Sequence, residues 1–317
     1  MTAPVVPLPA RGPVVRSIVP PAEAPQHPLA RIGAFVVLAV VAGVAVEALV
    51  YPAIGLVARL LGVRPLVGPW LTVGAMLAAS WGASRWTDGG TPWLVRIGLG
   101  SSAWRVGPSL RALVIGAMPM AVTLGVLVSV GAYAVRPGAE GSWWSATAIA
   151  LWTLAPSAFS EELLARGFVF SVLHEWKGTA LATAVTSLGF AALHLLNPGV
   201  SAASVVNVAL AGVLLAVVRL GTGSLIAAWA AHLAWNAVLV CAAHAPVSGL
   251  AFPTPGWRLV PQGAEWLSGG AWGPEASIVA TVAIGAAIWA ATRYARGTEP
   301  ARLSTSDPRD DARVTTI

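Results

Sequence analysis

Eight long apolar runs dominate the sequence, and each comes close to the roughly 20 residues that an α-helix needs to cross a lipid bilayer. Hydrophobic residues make up 56% of the 317-residue chain, and charged residues only 10%. Because the bilayer interior holds no water to hydrogen-bond an unpaired backbone, we expect these runs to be helical. The sequence therefore predicts an all-α fold, a polytopic membrane helical bundle of about eight transmembrane helices, and it excludes a soluble enzyme.

The apolar runs leave two tails and two longer connections. A proline-rich N-terminal tail, residues 1–28, and a polar C-terminal tail, residues 294–317, are expected to be disordered on either side of a membrane domain at 29–293. An interfacial helix is expected within 85–108, and a loop rich in proline, glycine and tryptophan at 245–273. The predicted spans are 31–52, 66–84, 109–133, 145–173, 179–197, 202–219, 223–244 and 274–292.

The positive charge of the chain indicates its topology. Lysine and arginine number 19 and give a net charge of +6, but they are scattered between apolar runs and in the tails, so no nucleic-acid partner is expected. With the N-terminus inside, fourteen of these nineteen residues lie on the cytoplasmic side, in agreement with the positive-inside rule. We expect both termini in the cytoplasm. A single lysine beside so many arginines is typical of a high-GC bacterium, so the predicted location is the bacterial inner membrane.

Ionisable residues inside apolar runs are costly at membrane depth and therefore mark candidate sites. The fourth span contains Glu161, Glu162 and Arg166. Residues four apart share a helix face, so Glu162 and Arg166 are predicted to pair. Glu161 points about 100° away and is left to face a cavity as a candidate general base. The alternative is that both glutamates form a structural ion-pair cluster with Arg166.

Two further spans carry candidate polar groups. Phe190 and His194 share one face of the fifth span, and His232 and Asn236 share one face of the seventh. Taken singly, each histidine is explained as well by hydrogen-bonded helix packing. At about 1.5 Å of rise per residue, however, Glu161, both histidines and Asn236 reach similar depths. We therefore predict that these four side chains line one polar chamber.

Together these motifs resemble the CPBP family of intramembrane proteases, which includes the type II CAAX prenyl endopeptidases and the bacterial Abi-type proteins. Glu-Glu-x-x-x-Arg at 161–166, Phe-x-x-x-His at 190–194 and His-x-x-x-Asn at 232–236 occur in this order within apolar spans. The resemblance covers about residues 145–244, the motif core. It implies an endopeptidase that hydrolyses a peptide bond of a membrane-associated protein or peptide.

The resemblance also implies a catalytic role for four residues. Glu161 would activate a water with help from His194. His232 and Asn236 would polarise the scissile carbonyl and hold the oxyanion. This agrees with the chemistry of peptide hydrolysis, which needs a base for the water and donors for the developing negative charge.

A metal-dependent mechanism would use the same residues. Two histidines and a carboxylate are a known catalytic zinc set, so Glu161, His194 and His232 are the candidate ligands for zinc. We favour a mechanism without a tightly bound metal, because Glu161 cannot be both a ligand and the base. Glu162 could supply that base, so the zinc alternative stays open. Without a metal, the resemblance implies that Glu162 and Arg166 are supporting residues.

Other membrane chemistries lack their residues. His174-Glu175 is not followed by the second histidine of a zinc-protease helix, and the four aspartates lie outside the predicted spans. Ser224 lies at the cytoplasmic mouth of the span that holds His232, without the flanking sequence of a serine protease. The alternatives are a proton-coupled transporter with a glutamate and histidine relay, and a non-catalytic peptide-binding or immunity membrane protein.

The predicted topology also indicates the side on which the site opens. Spans five and seven run outward, so His194 and Asn236 lie beyond the bilayer midplane. A membrane-anchored protein or peptide is therefore expected to approach from the outer side of the lipid bilayer. The 245–273 loop lies on that side and is expected to cover the entrance as a lid.

Overall fold

The described part of the chain folds into eight long helices joined by short connections. A computed structural model describes residues 27–62, 66–88 and 92–297. Most of the two predicted tails therefore lies outside the described residues. The helices are α1 Pro28–Leu60, α2 Gly68–Thr87, α3 Val106–Ser129, α4 Trp143–Glu162, α5 Phe168–Leu193, α6 Ala202–Thr222, α7 Leu225–Ala242 and α8 Ile278–Gly297. The predicted helical fold is thus confirmed.

Four of the described helices are long and apolar enough, by length and composition alone, to cross a membrane. These are α1, α3, α6 and α7. Residues Ile278–Arg293 of α8 form a shorter apolar helix. The predicted number of about eight transmembrane helices is not confirmed by this result. Helix α4 differs from the four because serine, threonine and tryptophan interrupt its apolar residues and two glutamates end it.

Helix α4 ends earlier than the predicted 145–173 span. A five-residue π-helical turn, Leu163–Gly167, separates α4 from α5, and Gly167 leaves the helical region with ψ at −117°. A second break occurs inside α5 at Gly178, where φ is 79°. Glycine adopts both conformations because it has no Cβ. The motif core therefore bends twice, which a run of apolar residues does not reveal.

A two-stranded antiparallel ribbon departs from the all-α expectation. Strand β1, Tyr133–Pro137, pairs with β2, Trp257–Pro261, so part of the predicted 245–273 loop is a strand. Gly131 turns the chain after α3 with φ at 72°, and the extended residues that follow find their backbone partners in β2. The Tyr133 hydroxyl donates to Ser268 O at 2.7 Å, and burial raises the pKa of this phenol, so it stays a donor.

Four charged residues, three of them buried, form one ion-pair network. Arg31 Nη2 lies 2.6 Å from Asp88 Oδ1, Arg96 also pairs with Asp88, and both arginines reach Glu175 at 3.2 and 2.6 Å. This network ties α1, the end of α2 and α5 to the short helical turn Trp93–Arg96. The interfacial helix expected at 85–108 is instead this turn followed by the 3₁₀ turn Ser101–Trp104.

Small residues bring the central helices close together, as is usual in membrane bundles. A Cβ added at Gly116 of α3 would lie 1.9 Å from Ala231 O of α7. A Cβ added at Gly212 of α6 would lie 2.9 Å from the Ser187 Cβ of α5. Helix α3 therefore packs closely against α7, and α6 against α5.

Candidate active site

A cavity of about 180 Å³ lies between α3, α4, α5, α6, α7 and the segment that follows α7. Its wall includes all four residues predicted to form one chamber, namely Glu161, His194, His232 and Asn236. Apolar side chains from α4, α6 and α7 form much of the remaining wall. The arrangement places a few polar groups inside an otherwise apolar pocket, which is typical of ligand and active sites.

The two adjacent glutamates of α4 have different surroundings. The Glu162 side chain is fully buried and its Oε1 lies 3.0 Å from Arg166 Nη1. The Glu161 side chain is 35% exposed and lines the cavity. A helix turns by about 100° per residue, so the two carboxylates leave α4 in different directions. Glu161 is the carboxylate that a water in the cavity can reach.

Glu162 also holds one histidine of the cavity. Its Oε1 lies 3.0 Å from His232 Nδ1, and because a carboxylate can only accept, the histidine donates through Nδ1. The other ring nitrogen, Nε2, then lies on the side of Glu161, 3.8 Å from its Oε2. Arg166, Glu162 and His232 thus form a chain that fixes both the tautomer and the direction of the imidazole.

Arg166 has further partners that bury it completely. Its Nη2 donates to Gly212 O of α6 at 2.9 Å, and its guanidinium lies 4.6 Å from the centre of the Phe190 ring. The same ring lies 4.8 Å from the His194 ring and 5.8 Å from the His232 ring. Phe190 therefore packs between the ion pair and both histidines, which gives it a positioning role.

His194 ends α5, and its tautomer is set by its own helix. Its Nδ1 lies 2.8 Å from Phe190 O, and because a carbonyl can only accept, Nδ1 carries the hydrogen. In the neutral ring Nε2 is then the nitrogen that can accept a hydrogen bond or a proton. Asn236 lies one turn after His232 on α7, is 7% exposed, and adds an amide to the same cavity.

Among the polar cavity residues that were not predicted from the sequence, three lie in connections between the long helices. Glu275 lies in the 3₁₀ turn Pro274–Ala276 before α8, and Asn197 and Ser248 lie in the connections after α5 and α7. Glu275 could have been identified from the sequence, because it is an ionisable residue at the edge of the predicted span 274–292. Asn197 and Ser248 carry no such signal, because uncharged polar residues in loops are common.

The described residues do not fit a metal centre. Among them, no group of three His, Cys, Asp or Glu side chains is arranged to hold a metal ion. The zinc alternative with Glu161, His194 and His232 as ligands is therefore not supported by the described residues.

The serine and aspartate alternatives also lack a site in the described residues. Ser224 is buried and donates to Ala103 O at 2.7 Å, while its Oγ accepts the Ala227 N–H and caps α7. Asp88 is held in the ion-pair network at the end of α2. Neither residue lines the cavity.

Glu47 lies within a π-helical turn of α1, Val46–Val50. We expect this glutamate, unlike Glu161, to have no catalytic role. Its side chain is exposed and does not line the cavity. We expect Glu47→Gln to be nearly silent, because a carboxylate that reaches the interface gains little from the bundle. Thermal stability and cleavage rate measure the effect, and a loss of activity comparable to that of Glu161→Gln would contradict this interpretation.

Comparison with known proteins gives one match. Residues 142–238 match the model of the family described as type II CAAX prenyl endopeptidase, Rce1-like. The match contains all three sequence motifs and begins one residue before α4. No curated protein and no solved structure matches the chain. The resemblance found from the motifs is thereby confirmed.

Proposed function

We propose that the chain is an intramembrane endopeptidase of the CPBP family, because residues 142–238 match the type II CAAX prenyl endopeptidase, Rce1-like family model. It hydrolyses a peptide bond of a membrane-associated protein or peptide with a glutamate-activated water. One observation carries the proposal: Glu161, His194, His232 and Asn236 all line one cavity. Peptide hydrolysis needs a base and oxyanion donors, and these four side chains can supply both.

Glu161 is the general base of the proposed reaction. Its carboxylate takes a proton from a water in the cavity, and His194 Nε2 orients this water by accepting its second hydrogen. The tautomer set by the Phe190 carbonyl leaves that nitrogen available. The water oxygen then forms a bond to the carbonyl carbon of the substrate, and the carbonyl oxygen becomes negatively charged.

His232 and Asn236 stabilise this oxyanion. The Asn236 amide donates an N–H, and His232 donates through Nε2 when its ring is protonated. Glu162 accepts from Nδ1 at 3.0 Å, and Glu161 Oε2 lies 3.8 Å from Nε2, so both carboxylates lie beside this ring. When the tetrahedral intermediate collapses, the proton held by Glu161 passes to the departing amine. One water is consumed, and a new carboxyl group and a new amine are formed.

The test of this function is cleavage of membrane-anchored peptides by the purified protein in lipid nanodiscs. A library of such peptides is incubated with wild type, and new termini are identified by mass spectrometry. We expect discrete cleavage sites near one membrane boundary. Proton-coupled flux in proteoliposomes without cleavage would instead support the transporter, and peptide retention without cleavage or flux would support the non-catalytic binding protein. Either result contradicts the proposal.

We further propose eight spans in a bacterial inner membrane, with both termini in the cytoplasm. Besides the four apolar helices, the spans are α2, α4 with the first part of α5, the second part of α5, and α8. The positive-inside distribution of arginine supports this topology. The cavity then opens to the outer side, which suits an exported, membrane-tethered substrate better than a cytoplasmic prenylated tail.

Reporter fusions test this orientation at two positions on either side of the second part of α5. A reporter after Lys177 is expected to give a cytoplasmic signal, and one after Pro198 an external signal. His194 and Asn197 lie close to Pro198 in the chain, so the side of Pro198 is the side of the site. An external signal at Lys177 with a cytoplasmic one at Pro198 would invert the proposed site.

A further inference from the structure

A tight turn of the chain forms part of the cavity wall. We call residues 247–252 the roof segment, because four of them, Val247, Ser248, Leu250 and Phe252, line the cavity. The turn is closed by two backbone hydrogen bonds between Val247 and Leu250, at 3.0 and 2.8 Å. Ser248 has φ at 48°, a left-handed conformation that a residue other than glycine keeps only when its surroundings hold it.

The buried carboxylate of Glu275 holds this turn from one side. Its Oε2 accepts the Ser248 N–H, and its Oε1 accepts the Trp235 indole N–H at 2.6 Å. Glu275 is 7% exposed and lines the cavity. One side chain therefore connects the roof segment to α7, at the residue next to Asn236.

The carbonyl group of the same residue is held from the connection that follows α5. Asn197 Nδ2 donates to Ser248 O at 3.0 Å, and the Asn197 N–H donates to His194 O at 3.1 Å. Next in the chain, the Gly249 N–H donates to Trp272 O at 3.0 Å. Ser248 is thus anchored to the connection that follows His194 and, through Glu275, to the helix that carries His232 and Asn236.

We propose that Glu275 is a positioning residue that clasps the roof segment over the cavity and keeps it in register with α7. Glu275 makes the link that joins the roof segment to the proposed oxyanion donors, because its two oxygens accept from two different elements. Its effect on catalysis rests on the proposed protease function. The clasp itself does not, so the two can be tested apart.

The test measures how fast a thiol inside the cavity reacts with a water-soluble maleimide. Ser157 lines the cavity on α4, and Cys241 is the single cysteine of the chain. Ser157→Cys in a Cys241→Ala background is therefore the reporter. Glu275→Gln has the same shape, but its NH₂ group must face one of two N–H donors, so one hydrogen bond is lost. We expect labelling about tenfold faster or more, as for the loss of one charge-assisted hydrogen bond. Glu265→Gln, an exposed glutamate of the same connection, is the matched control and should label at the reference rate.

A second variant tests the contact between Glu275 and α7, and it replaces Glu275→Gln if that variant folds poorly. Trp235→Phe removes the indole N–H together with part of the ring, keeps the carboxylate and its bond to Ser248, and should also speed labelling. In folded protein, combining it with Glu275→Gln should add little, since both break one link. Unchanged labelling in folded Glu275→Gln, or in folded Trp235→Phe, would overturn the proposal.

Cleavage assays separate this inference from the proposed function. If wild type cleaves peptides, Glu275→Gln should lower kcat while Glu265→Gln does not. If wild type cleaves nothing but Glu275→Gln still speeds labelling, the clasp stands and the protease function fails. If wild type cleaves and folded Glu275→Gln labels at the reference rate, the protease function stands and the clasp fails.

Discussion

Glu161→Gln is expected to lower the cleavage rate by about 10²–10⁴-fold, the usual contribution of a general base, while the protein stays folded. The amide keeps the shape of the side chain but cannot take a proton from water. Glu161 is partly exposed to the cavity and does not share the hydrogen bonds of Glu162, so little packing is lost. The kcat on a cleaved peptide and the thermal stability in detergent measure the two effects.

The control for this prediction is Glu47→Gln, the same chemical change at an exposed glutamate of α1. It should leave both the rate and the stability near wild type. Full activity of Glu161→Gln would show that another group activates the water. A large fall in its stability would show that Glu161 belongs to the structural ion-pair cluster, as the alternative interpretation of the motif has it.

Arg166→Ala is expected to destabilise the protein by about 3–5 kcal/mol, the typical cost of breaking a buried ion pair by removing one partner. Arg166 is fully buried, and its loss leaves Glu162 as a buried carboxylate whose remaining hydrogen bond comes from His232. The bond to Gly212 O and the contact with the Phe190 ring are lost as well. The effect should therefore exceed that of Glu161→Gln on thermal stability and on the yield of folded protein.

Two further variants serve as controls for this prediction. Arg85→Ala removes an exposed arginine of α2 and should have little effect. The pair Glu162→Leu with Arg166→Met replaces both charges by apolar side chains and should be less destabilised than Arg166→Ala, because no unpaired charge is left. A stable but inactive Arg166→Ala would contradict the structural role and assign Arg166 to the substrate site.

Much of the helical frame could be predicted, because the length and apolar character of each run indicate a helix. Predicted boundaries such as 66–84 and 202–219 differ from α2 and α6 by only a few residues. The pairing of Glu162 with Arg166 also follows from spacing alone, since it lies within one helical turn. That Glu161, His194, His232 and Asn236 would line one cavity followed from the similar depths that the rise per residue gives them.

The rest depends on contacts that no local pattern encodes. Trp235 meets Glu275 across 40 positions of the chain, and Arg31 meets Asp88 across 57. The roof segment and the ribbon arise from residues that read as an ordinary loop, because their partners are supplied by other elements. A buried ion pair and a charged loop residue look alike in a sequence, so Asp88 gave no sign of its network.

The most direct test of the central claim, that the peptide bond is cleaved in this cavity, is chemical occlusion of the cavity. Cleavage of one peptide is measured for Ser157→Cys in the Cys241→Ala background, before and after reaction with a bulky maleimide. Ser102→Cys, which places the thiol on an exposed turn away from the cavity, is treated in the same way. We predict that alkylation abolishes cleavage by the Ser157→Cys protein and leaves the Ser102→Cys protein unchanged. Undiminished cleavage by fully alkylated Ser157→Cys protein would contradict the claim.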